Sequence, residues 1–146
     1  MMEEYIKEYF QHFGVTPKVQ EVSLLPLPAD IQKMDIPVTP YNSYKTSAVY
    51  LLNLNEQDFD DLHYVLGISH DQCLFGKAVI RVGANYYDPT VIGRNSFLPK
   101  DRFVSIYEMP VNDLKDFMVE HENELPSILN LKIVEMLSQK NGLKAN

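Results

Sequence analysis

The chain has 146 residues, with 13 Lys and Arg against 20 Asp and Glu, a net charge of −7. At 45% hydrophobic, with nine Tyr and seven Phe spread along it, the composition is that of one folded domain rather than a disordered chain. No apolar run approaches the roughly 18–20 residues of a membrane span, the Met-Met-Glu-Glu-Tyr start lacks the features of a secretory signal, and a pI near 5.0 opposes general binding to a nucleic-acid backbone.

Cys73 is the only cysteine, so neither an intrachain disulfide nor a Cys-rich zinc site can form. A lone thiol suits a reducing compartment, and the expected location is cytoplasmic.

The spacing of Ile6, Tyr9, Phe10 and Phe13 predicts a helix over 3–13, with Glu3 and Glu4 in the first turn and Gly14 as its stop. Residues 19–25 read as a short strand. Four prolines between Pro26 and Pro40 then favour a long extended loop. A helix follows, with Asn42 or Ser43 as N-cap and an apolar face of Tyr44, Ala48, Leu51 and Leu52. Residues 55–61 form an acidic connection, 63–68 a strand, and 70–76 a turn. Residues 77–90 read as one long strand, with Ala78, Ile80, Val82, Ala84 and Tyr86 alternating against Lys77, Arg81 and Asn85. Gly83-Ala84-Asn85 suggests a bulge inside it.

A further strand is expected over 102–109, and two helices within 110–142 close the chain. The first carries Val111, Leu114, Phe117 and Met118; the second carries Ile128, Leu129, Ile133, Met136 and Leu137. Together these elements predict a single α+β domain over 1–146, with an antiparallel sheet flanked by N-terminal and C-terminal helices.

Three motifs stand in a suggestive order. Tyr41-Asn42-Ser43 opens a helix, His63-Tyr64-Val65 opens a strand, and Tyr86-Tyr87-Asp88-Pro89-Thr90 ends one. Residues 36–92 thereby resemble the core of papain-like and transglutaminase-like thiol hydrolases. The resemblance implies a Cys-His-Asp arrangement in which His63 is the base and Asp88 its orienting partner on a neighbouring strand. Chemically, the thiol is activated by the helix N-terminus and an imidazolium, and the carboxylate fixes the imidazole tautomer. The nucleophile would stand three residues before Asn42, where this chain has Thr39. Helix-dipole help of roughly 1 kcal/mol does not bring a threonine hydroxyl near the reactivity of a thiol. Cys73, in the turn between the two strands, is not placed to substitute.

The preferred expectation is therefore a degenerate thiol-hydrolase core acting as a binding, inhibitor or adaptor protein. Thr39, His63 and Asp88 would be positional relics of the catalytic set, with Asn42, Ser43 and Tyr87 as candidate binding residues. One alternative is a hydrolase or acyl-transfer enzyme that uses His63 and Asp88 with Thr39, Ser43 or an activated water. Another is an unrelated α+β protein in which these residues are structural. His63, His70, Asp71 and Cys73 have metal-ligand chemistry but match no standard ligand spacing. Asp58, Asp60 and Asp61 lack a glycine-containing calcium loop. Glu120 to Glu124 reads as a solvated run. No metal or other cofactor is expected. The expected partner is a protein, preferably basic, with neither nucleic acid nor membrane involved.

Overall fold

Two long runs of branched and aromatic residues, Leu62–His70 and Leu74–Val82, set the centre of the fold. In the computed structural model they form adjacent antiparallel strands, with Leu62 opposite Val82 and His70 opposite Leu74. The structure describes residues 19–32, 42–70, 74–91 and 102–126, together with Glu4, Lys7, Glu8, Gln11, Met34 and Ile36.

In chain order the elements are β1 (Gln20–Val22), β2 (Leu24–Leu25), α1 (Ala29–Gln32), α2 (Ser43–Asn53), β3 (Leu62–His70), β4 (Leu74–Val82), β5 (Asn85–Tyr87), a 3-10 turn (Pro89–Val91), β6 (Arg102–Pro110) and α3 (Val111–Glu120). Glu4, Lys7, Glu8 and Gln11 are helical and exposed, as the polar face of the expected first helix requires. The apolar positions of that helix, and the expected last helix after Pro126, lie outside the described residues.

The sheet has the order β1-β6-β3-β4-β5-β2. The sheet is mixed where an antiparallel one is expected, because its pairs are antiparallel except for β2, which runs parallel to β5. Only Ser23 separates β1 from β2, yet they occupy opposite edges of this order. The sheet must therefore curl until its two edges meet along one stretch of chain. Strand alternation then sorts the residues onto two surfaces. The outer surface carries Tyr64, Leu66, Ile80, Tyr87, Val104 and Met109, joined by residues of all three helices into the main core. The inner surface carries a second, smaller apolar cluster of Val65, Val79 and Phe103, with Val22, Leu24 and Tyr86 packed against it.

The α+β class follows from these elements. Several local expectations are corrected. The segment after Pro28 is not wholly extended: Ala29–Gln32 forms one helical turn, with Ile31 and Gln32 donating to Pro28 O. The long strand over 77–90 is a hairpin. Gly83, at φ +62°, and Ala84 reverse the chain so that Val82 pairs with Asn85. Positive φ at the first central position is the demand that glycine meets in such a turn. The alternation expected through Tyr86 therefore breaks, and Tyr86 faces inward while Tyr87 joins the main core. The helix face is also shifted: α2 buries Thr46, Ser47, Ala48, Tyr50 and Leu51, while Leu52 is exposed. The expected stripe of α3 holds at Val111, Leu114 and Phe117, all buried. No helix among the described residues is long and apolar enough to cross a membrane.

Candidate functional site

The inner surface of the curled sheet gathers most of the buried polar chemistry. It has a deep layer and a rim. In the deep layer Lys77 forms an ion pair with Asp88 Oδ2, and the Asp88 side chain is wholly removed from solvent. The other carboxylate oxygen, Oδ1, accepts Thr90 N–H at 3.0 Å and Thr90 Oγ1–H at 2.6 Å. The Asp-Pro-Thr motif thus builds its own turn, with the aspartate closing a loop onto the residue two positions ahead. The hairpin at Gly83–Ala84 makes the pairing with Lys77 possible. It sends β5 back along β4, so the residue after Tyr87 approaches the start of β4.

At the rim, Glu108 binds three side chains. Arg81 Nε donates to Oε1 at 2.6 Å, while Tyr86 Oη and Ser105 Oγ donate to Oε2 at 2.7 and 3.1 Å. Arg81 also donates from Nη1 to Gly83 O at 2.7 Å, which ties the network to the hairpin turn. Burial, then the hydrogen bond to Glu108 and its charge, push the Tyr86 hydroxyl up to about 12 against a smaller opposing pull from Arg81.

His63 shares this rim. It stands opposite Arg81 on one side and Pro110 on the other, and Arg81 in turn stands opposite Tyr86. Its Nδ1 lies 3.1 Å from Asp61 O, so the ring is held by the end of the acidic connection. Asp61 itself adopts φ +52°, and Asp60 O accepts the N–H of Gly83, so this connection is bonded to the hairpin turn.

The expected neighbours His63 and Asp88 do not sit on adjacent strands. His63 is on β3 and Asp88 follows β5, with all of β4 between them. Two inter-strand steps span roughly 9.5 Å. The hairpin is the cause, because it inserts a strand where the sequence pattern suggested one continuous element. Each residue is bonded elsewhere, His63 to Asp61 and Asp88 to Lys77 and Thr90.

Asn42 is the cap of α2, accepting Lys45 N–H at 3.0 Å through Oδ1. Ser43 has a different task from the capping first considered for it. Its Oγ accepts Ala78 N–H at 3.1 Å, and Ser47, one turn later, donates to Ala78 O at 2.9 Å. β5 pairs with β4 only from Ile80 to Val82, so the two serines serve the strand backbone where β5 has ended. Tyr87 is buried among the helices and the sheet, which makes it a packing residue. Thr39, Asp71 and Cys73 lie outside the described residues.

Lys77 is the partner that sequence reading missed. Its alternation with Ala78 and Ile80 marks it only as the opposite face of a strand, whereas β4 is buried on both faces from Lys77 to Ile80. Ser47 was missed likewise, although Ser43 and Ser47 at i and i+4 fall on one side of a helix. Among the described residues no three metal-type side chains converge. Comparison with protein-family models, with curated proteins and with solved structures finds no match to this chain.

Proposed function

We propose that the chain is a non-catalytic binding protein built on a papain-like or transglutaminase-like core. The observation that carries this reading is the commitment of Asp88. Both of its oxygens are engaged, by Lys77 and by Thr90, and among the described side chains neither is directed to an imidazole. An orienting carboxylate in a catalytic set must accept from the base it orients. Threonine at position 39, where the related enzymes carry their thiol, points the same way. The order of a helix opened by Asn42, a strand headed by His63 and a later strand ended by Asp88 supports the family reading itself.

The partner in this reading is a basic protein, met in the cytoplasm. Residues 55–61 carry four acidic side chains and residues 111–126 carry five, against Lys115 as the one Lys or Arg. Lys115 donates to Glu56 at 3.1 Å, so the two segments adjoin and present their charge together. Such a surface speeds encounter with a cationic partner and repels polyanions.

The test is to introduce a thiol by Thr39→Cys and expose the protein to an electrophilic probe. The binding reading expects labelling no faster than at Cys73 and unchanged by His63→Ala. Rapid labelling that depends on His63 would establish a working catalytic pair and overturn it.

A further inference from the structure

We propose that Lys77 and Asp88 condense to an intramolecular isopeptide bond, an amide between the lysine Nζ and the aspartate Cγ. This modification site is independent of the binding function proposed above. Three observations carry it.

The first is placement. Lys77 and Asp88 are 8% and 0% exposed, and Nζ is already in contact with Oδ2. Holding two reacting groups together in one orientation raises their effective concentration by several orders of magnitude over free solution. Lys77 faces Gly67 across β3, and the Phe103 ring covers the space above that glycine, so apolar groups close the site from water.

The second is the asymmetry of the carboxyl group. One oxygen faces the amine. The other is held by two donors, Thr90 N–H and Thr90 Oγ1–H. That is the arrangement acyl transfer needs, because negative charge develops on Oδ1 as nitrogen attacks Cγ, and paired donors aimed there stabilise it. Oδ2 is the oxygen free to leave.

The third is the following residue. Pro89 has no backbone N–H. The common intramolecular fate of an aspartate, cyclisation onto the next backbone nitrogen, is closed at Asp88, and the lysine amine is the nucleophile at hand.

The step balances without any co-reactant. A proton passes from the ammonium to the carboxylate, the amine lone pair attacks Cγ, and the C–Oδ2 bond breaks. Nitrogen keeps one hydrogen, and two leave with Oδ2 as water. A buried ammonium and a buried carboxylate become one neutral amide, which relieves the desolvation of both charges.

The test is the mass of the intact, denatured full-length chain. The proposal expects a mass one water below that of the sequence, with proteolytic fragments containing Lys77 and Asp88 joined to each other. Lys77→Arg is expected to restore the full mass, and Thr90→Val to lower the joined fraction several-fold. A native chain of full mass overturns the proposal, as does a lost water mapped to any other pair. The mass and fragment map of the native chain decide the proposal by themselves, and the variants count only where circular dichroism shows them folded.

Discussion

The Phe103 ring occupies the space that a side chain at Gly67 would need. A Cβ built on Gly67 would fall 2.5 Å from Phe103 Cζ and closer still to Val104 O. The close approach belongs to an irregularity in the sheet, where the register between β3 and β6 shifts from Leu66 opposite Tyr107 to Gly67 opposite Ser105. A bulge of this kind bends the strand and sharpens its twist, which is what a sheet closing on itself requires. Gly67→Ala is expected to cost about 3 kcal/mol, at the upper end of overpacking, because a backbone oxygen cannot swing aside as a side chain can. Urea denaturation followed by circular dichroism measures it. A loss below about 0.5 kcal/mol would mean the two strands are not packed this closely.

Measured against a chain of full mass, in which the two groups remain an ion pair, removing one member of the deep pair should be far worse than removing both. Lys77→Met leaves Asp88 buried with Thr90 alone, at an expected cost of about 3–5 kcal/mol. The double variant Lys77→Met with Asp88→Leu should recover most of that loss, since apolar groups of similar volume commonly replace a buried pair at little cost. Additive losses in the same denaturation experiment would place the two side chains apart.

The rim predicts a pH dependence with a definite sign. Tyr86 holds its proton up to about 12 in the folded chain, against the ordinary tyrosine value of 10.0. The folded state therefore binds this proton more tightly than the unfolded one. The stability it contributes is complete below pH 10.0 and is lost as pH rises towards about 12. Tyr86→Phe should flatten the alkaline limb of the stability profile. Glu108→Gln should lower the Tyr86 midpoint, because it removes the carboxylate charge that opposes a phenolate, as read by difference absorbance against Tyr86→Phe.

Helix α2 is predicted to dock through its serines. Ser47→Ala strands Ala78 O in the interior, at an expected cost of about 1–3 kcal/mol. Asn42→Ala, which removes an exposed cap, should cost about 1 kcal/mol. Thermal unfolding distinguishes the two. Equal small effects would show that the serine bonds contribute no more than a surface cap.

What the sequence made legible was local. The strands over 63–68 and 102–109, the start of α2 and the stripe of α3 all follow from periodicity and capping chemistry, and they lie within one or two residues of their expected ends, whereas the one strand expected over 19–25 is two, β1 and β2, parted at Ser23. The hairpin at Gly83–Ala84 was not legible. Its apolar residues keep a period of two through the turn, so the pattern reads as one strand with a bulge. That single misreading hid the Lys77–Asp88 pairing, since only a reversed β5 brings Asp88 back beside β4. Burial of both faces of β4 was likewise invisible. It depends on the sheet closing at Ser23, a contact between segments far apart in sequence. Of the candidate site, the residues His63 and Asp88 were identifiable, but their partners were set by topology.

The central claim is that His63 and Asp88 belong to separate networks. The most direct measurement is a double-mutant cycle by urea denaturation over His63→Ala, Asp88→Asn and the two combined. Separate networks give losses that add within about 0.5 kcal/mol, because the His63 ring bonds to the Asp61 carbonyl and Asp88 to Lys77 and Thr90. A coupling of about 1 kcal/mol or more would show that the two side chains interact, and would contradict the claim.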